Sequence, residues 1–128
     1  MSDAARLLWI CLGGALGTGA RHLVGVWAGS RLGASFPFGT LIVNLSGSFL
    51  IGFVSAIALG VASFPPALRL VLTTGFLGGY TTYSSFNHET LRLFEEGARA
   101  AAALNLGVTV VGGLIAGLLG LALGRALI

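Results

Sequence analysis

Charge is scarce in this chain. Only 9% of its 128 residues are Asp, Glu, Lys or Arg, against about 25% in an ordinary soluble domain. Lysine is absent, and the seven basic residues are arginines scattered singly, which excludes a nucleic-acid patch. A lone cysteine, Cys11, excludes an internal disulfide. Between Ala4 and His88 there is no carboxylate; beyond Asp3 the acids are Glu89, Glu95 and Glu96, close together at one expected helix end. A cation- or proton-coupled exporter normally needs a buried carboxylate. No HExxH or CxxC spacing accompanies His22 and His88, and no nucleophile–base pair stands out, so an enzyme has no residues to rest on.

What is present is oil and glycine. Hydrophobic residues make up 55% of the chain, and mean hydropathy is +0.96. The bilayer is therefore the expected solvent, and the length allows one transmembrane domain over residues 1–128. Spanning the hydrocarbon core takes about 20 apolar residues in a helix. Four such segments are expected, at about residues 6–27, 39–62, 67–96 and 99–127, with Pro37, Pro65 and Pro66 marking two of the breaks. The first apolar stretch runs through glycines to Arg21 where a cleavage site would stand, so it reads as a span rather than a leader.

Four spans put Arg6, Arg69 and Arg125 on one face, and Arg31, Arg92 and Arg99 on the other. That balance gives no positive-inside preference. Either the chain inserts both ways and pairs antiparallel with itself, or a partner decides its orientation. The glycines add small-xxx-small pairs: Gly13/Gly17, Gly75/Gly79, Gly113/Gly117 and Gly120/Gly124. Lipid supplies no hydrophobic push between helices, so close backbone approach must hold them, within one chain or between two.

The third segment turns polar partway, in "GFLGGYTTYSSFNHET" from Gly75 to Thr90. Adjacent Gly78 and Gly79 followed by hydroxyl residues predict a broken helix near 78–82. Open backbone is tolerated at membrane depth only where protein or a cavity surrounds it. A break leaves carbonyls that attract a cation and N–H groups that attract an anion. Thr81 or Thr82 is the expected cap of the second half. Tyr83 and Phe86 share a face beyond it, flanked by Ser84 and Ser85. On the second segment Thr40, Asn44, Ser48, Gly52 and Ser55 form one small or polar stripe, and on the fourth Asn105 and Thr109 lie one turn apart. Hydroxyls and amides donate hydrogen bonds, and ring edges carry partial positive charge, so three such rows suit an anion path. Arg21 lies about 22 Å along the first helix from Arg6. It serves either a wet vestibule or as a helix-end arginine reaching the headgroups.

Three stretches together resemble the Fluc (CrcB-type) bacterial fluoride channels over almost the whole chain. These are "GGALGTGAR" at Gly13–Arg21, "GTLIVNLSGSFLIG" at Gly39–Gly52 and "GFLGGYTTYSSF" at Gly75–Phe86. The resemblance implies a dual-topology antiparallel homodimer in the bacterial inner membrane. It further implies two pores giving passive, fluoride-selective efflux, and a structural Na⁺ at the dimer centre held by the Gly78 and Thr81 carbonyls. Its pore aromatics map onto Tyr83 and Phe86, accompanied by Ser84 and Ser85. Its pore asparagine maps onto Asn44, its vestibule arginine onto Arg21 and its fourth-helix track onto Asn105 and Thr109. The stripe adds Ser48 to the pore and Thr40 to the vestibule. Departures are Tyr83 for a usual phenylalanine, Ser85 for threonine, Asn105 for tyrosine, Gly113 for serine and His22 for an aromatic. The alternative is a small dual-topology multidrug-type exporter, which should carry a glutamate in the first helix; none is there.

Overall fold

The computed structural model describes all residues, Met1–Ile128, and every regular element is helical. Helix α1 (Asp3–Leu32) opens on Ser2, whose Oγ accepts the Ala5 N–H at 3.2 Å. With Asp3 in the first turn, this start complements the helix dipole. The helix stops at Gly33, whose φ of 86° an L side chain adopts at a cost. These signals carry it several residues past both expected ends. Helix α2 (Phe38–Gly60) starts beside Pro37 and ends at Val61.

The third expected segment is a series of short pieces. Pro66 sits at the start of α3 (Pro66–Leu70), where its missing N–H costs nothing. A π-helical stretch follows (Val71–Leu77), then α4 (Gly78–Tyr80). Thr81 and Thr82 are extended, with ψ of 159° and 116°, and α5 (Tyr83–Glu95) begins after them. The interruption thus falls within the expected 78–82 window. Thr82 is the cap: its Oγ1 accepts the Ser85 N–H at 3.2 Å.

Helix α5 closes on Gly97 (φ 83°), with Gly97 N–H to Phe94 O at 3.1 Å and Ala98 N–H to Leu93 O at 2.9 Å. This 5→2 and 6→1 pair is a Schellman closure. The last stretch runs as α6 (Arg99–Gly107), a second π-helical stretch (Val108–Gly112) and α7 (Gly113–Ala126). Neither π stretch was expected. Such widened turns rotate side chains out of α register and frequently mark functional sites.

Two packing seams organise the chain, and both are built on glycine. Along α1, Gly13 and Gly17 meet the π stretch and α4: a Cβ on Gly13 would lie 2.9 Å from Val71 O, and one on Gly75 2.8 Å from Ile10 O. Along α2, a Cβ on Gly52 would strike the Gly117 carbonyl, and one on Gly120 the Phe49 carbonyl. All four glycine pairs therefore serve contacts within the chain. Outside the seams the surface is apolar, with Leu16, Leu23 and Leu118 each about two-thirds exposed. Only 17 of 128 residues are buried, and so large an exposed apolar surface is one that lipid or a protein partner covers rather than water. Three helical stretches are long and apolar enough to cross a membrane: Asp3–Leu32, Phe38–Gly60 and Arg99–Ala126.

Candidate functional site

The site is organised by Asn44. Its Nδ2 donates to Thr82 O at 3.0 Å, and its Oδ1 accepts the Thr82 N–H at 2.8 Å. Both residues are buried, 8% and 9% exposed. One side chain on α2 thus satisfies both backbone groups of the extended residue where the third segment breaks. A break at this depth needs such a partner, because each orphaned buried group costs about 1–3 kcal/mol.

The clamp redistributes the carbonyls of the break. In an unbroken helix the Thr82 N–H would bond Gly78 O and the Ser85 N–H would bond Thr81 O. Here those donors go to Asn44 Oδ1 and Thr82 Oγ1. Gly79 O is instead taken by Arg21, whose Nε donates to it at 3.0 Å, with the Thr18 hydroxyl at 3.5 Å. Leu77 O receives both the N–H and the hydroxyl of Thr81, at 3.0 and 2.9 Å. Gly78 and Thr81 keep carbonyls whose helical donors have been drawn away.

Two cavities meet at Thr82. The first, about 360 Å³, is lined by Asn44, Ser48, Gly78, Thr81, Phe86 and Thr109 among others, and no charged side chain faces it. Phe86 is buried, and its ring meets that of Tyr83 in a T-shaped arrangement with centroids 5.8 Å apart at 67°. Tyr83 itself is 78% exposed, at the rim of the first cavity. The Thr109 hydroxyl is buried without a hydrogen-bond partner, beside this cavity. The second cavity, about 320 Å³, is lined by Arg21, His22, Thr40, Thr82 and Ser85. Arg21 engages the chain only through Nε, leaving its Nη atoms without a partner. Ser85 also accepts the Thr82 hydroxyl at 3.2 Å.

Most of the residues singled out from the sequence converge on these two cavities. Ser84 does not: it is exposed, with its Oγ 3.4 Å from Thr82 Oγ1. Asn105 is also set apart. It is 1% exposed, and its Nδ2 donates to Thr90 Oγ1 at 2.9 Å, tying α6 to α5. Glu89 was grouped by sequence with Glu95 and Glu96 at a helix end. The structure turns it inward, where its Oε1 accepts the Thr40 hydroxyl at 2.9 Å and its Oε2 is buried without a partner. The missed signal is spacing: Glu89 lies four residues after Ser85 and so shares its helix face.

Apolar helices that gather their hydroxyls, amides and one arginine into internal cavities define a small helical membrane protein with a polar interior. Compared with known proteins, residues 8–121 match the family described as "CrcB-like protein, Camphor Resistance (CrcB)". The chain belongs to that family. It is 57% identical over 112 residues to a protein of Anaeromyxobacter sp. (strain K) named "Fluoride-specific ion channel FluC", covering 88% of this chain and 89% of that one. It is 51% identical over 123 residues to the protein of the same name from Sorangium cellulosum, covering 96% and 97% of the two chains. The Acidobacterium capsulatum protein of that name is 43% identical over 123 residues, covering 96% and 98%.

Proposed function

We propose that this chain is a fluoride-specific channel, letting fluoride leave the bacterial cell down its gradient. The observation that carries the reading is the first cavity: hydroxyl and amide residues line it together with the Tyr83 and Phe86 rings and apolar Ile51, Leu77 and Val110, and no charged side chain does. A small, strongly hydrated anion leaves water only if other donors replace the lost hydrogen bonds. Neutral hydroxyls and amides do so without binding the ion too tightly to leave. Ser48 and the Tyr83 and Phe86 rings line the cavity and would supply such contacts, with the unpartnered Thr109 hydroxyl buried beside them. Arg21 adds positive charge at the neighbouring cavity, while Asn44 holds Thr82 between the two. Membership of the CrcB family and the fluoride-specific relatives agree with this reading, which makes the chain a conduit rather than an enzyme.

The third segment, Pro66–Glu95, is in this reading a fourth and broken crossing. The working form is an antiparallel homodimer of dual topology in the inner membrane, with two pores. Support comes from the balanced arginines and from Tyr83, a pore aromatic that one chain leaves 78% exposed. A hydroxyl-lined cavity beside lipid needs a cover, and a second copy provides it. Gly78 and Thr81 are the residues that would hold Na⁺ at the dimer centre. Both residues line the first cavity and their carbonyls have lost their helical donors, so the donor set fits a hard cation. Bound there, Na⁺ contributes a cationic centre that satisfies carbonyls kept from water.

Purified protein in liposomes loaded with potassium fluoride tests the function. With valinomycin carrying the counter-charge, a fluoride electrode should record rapid release without any proton or drug gradient. Chloride-loaded vesicles should hold their contents. Absence of fluoride release would overturn the reading.

A further inference from the structure

A third cavity, about 280 Å³, continues the line of the first two. It is lined by Ser55, Arg69, Thr73 and Thr74, and it shares Ile51 and Thr73 with the first cavity. The second cavity joins the first through Thr82 at the opposite end. Adjoining cavities therefore follow α2 from Thr40 through Asn44 and Ser48 to Ser55, with hydroxyl and amide groups set among apolar residues in the middle one. That is about 22 Å at 1.5 Å per residue, most of the roughly 30 Å hydrocarbon thickness. An arginine stands at each end: Arg21 beside Thr40, and Arg69 beside Ser55.

Arg69 is chemically free. Its guanidinium takes part in no ion pair, and no carboxylate lines the cavity it borders. Thr73 spends its hydroxyl proton on Arg69 O, at 2.8 Å, which pins that turn. Nothing in the chain engages the Ser55 and Thr74 hydroxyls, which leaves them available as donors beside the cation. We infer that Arg69, with Ser55 and Thr74, forms a second halide mouth, which concentrates fluoride at the end of the path remote from Arg21. This rests on the fluoride-channel reading above.

A unit charge about 8 Å from an ion in water changes its local concentration about two- to threefold, and about 0.15 M salt screens most of that. Fluoride efflux from liposomes should therefore be about two- to threefold slower for Arg69→Gln at low fluoride and low ionic strength. The deficit should vanish in concentrated potassium sulfate, and Arg69→Lys should run close to the parent protein. An unchanged rate for Arg69→Gln would overturn the mouth. So would a deficit insensitive to salt and not rescued by lysine, which marks an arginine anchored on lipid phosphate. If Arg69→Gln does not assemble, Arg69→Cys in a Cys11→Ala background provides the same test after folding. A cationic thiol reagent should then leave efflux several-fold faster than an anionic one, and equal rates would sink the inference. No fluoride release from the parent protein would instead remove the channel reading, and the mouth with it.

Discussion

Replacing Asn44 by alanine tests the core of the site. The substitution deletes two hydrogen bonds, of 3.0 and 2.8 Å, to the two backbone groups of Thr82. Inside membranes a side-chain hydrogen bond averages only about 0.6 kcal/mol. Counting bonds alone would then give little more than about 1 kcal/mol. The larger effect is what remains: a buried N–H and a buried C=O with nothing to bond, each costing about 1–3 kcal/mol. The expected loss is therefore about 2–6 kcal/mol, and water admitted by the adjoining cavity brings it toward the lower end. Because Thr82 caps α5 through Ser85, its displacement also moves Tyr83 and Phe86. Denaturant unfolding in micelles measures the first effect, and liposomal fluoride release the second. Asn44→Asp is the informative companion, since it keeps the acceptor for the Thr82 N–H but sets an oxygen against Thr82 O. Both variants should be destabilised, and both should lose most fluoride flux. An alanine variant within about 0.5 kcal/mol of the parent, with normal flux, would show that the clamp does not hold the break.

Phe86→Ile keeps an apolar side chain of similar bulk but removes the ring that packs T-shaped against Tyr83; fluoride release should fall at least tenfold while the protein elutes at an unchanged size. Gly120→Ala drives a methyl onto the Phe49 carbonyl and should cost about 1–3 kcal/mol in micelle unfolding. Gly19→Ala, where a Cβ meets nothing within 4 Å, should instead be neutral or gain up to about 1 kcal/mol of helix propensity. Arg21→Lys keeps the charge but gives up a planar side chain that caps Gly79 O through Nε while its Nη atoms stay unpaired. Flux between that of the parent and that of Arg21→Gln is expected, and identical flux for lysine and arginine would reduce Arg21 to a charge.

Much of this was readable because the bilayer leaves a sequence few choices. Proline positions and apolar run lengths placed the long helices to within a few residues. The double glycine followed by threonines marked the interruption, which fell on Thr81 and Thr82. The polar stripe from Thr40 to Ser48 predicted which face of α2 meets the cavities. Other features depend on which chain segment comes opposite, and no local pattern encodes that. Arg21 could be placed along its helix, but its partner, Gly79 O, is 58 positions away. Glu89 reads as one of three acids grouped at a helix end until α2 brings Thr40 against it. Asn105 lies in helical register with Thr109, yet α5 offers it Thr90 and removes it from the cavity. The π stretches at Val71–Leu77 and Val108–Gly112 leave no compositional mark, and they shift register where the cavity is lined.

The break works as one unit because a donor used in one place is missing in another. By taking the Thr82 N–H, Asn44 removes the partner of Gly78 O; by capping α5, Thr82 removes the partner of Thr81 O. The residues that shape the break beside the first cavity are thus the ones that leave the Gly78 and Thr81 carbonyls without helical donors. A leucine at position 44 would leave the Thr82 N–H seeking an acceptor, and the nearest in sequence is Gly78 O, one helical turn back. Rebonding there would extend α4, swing Phe86 away from the first cavity and cover a carbonyl of the proposed Na⁺ site. Asn44→Leu should therefore lose fluoride flux together with the Na⁺-dependent stability expected of the proposed dimer. Loss of one with full retention of the other would show that the two sides of the break are independently built.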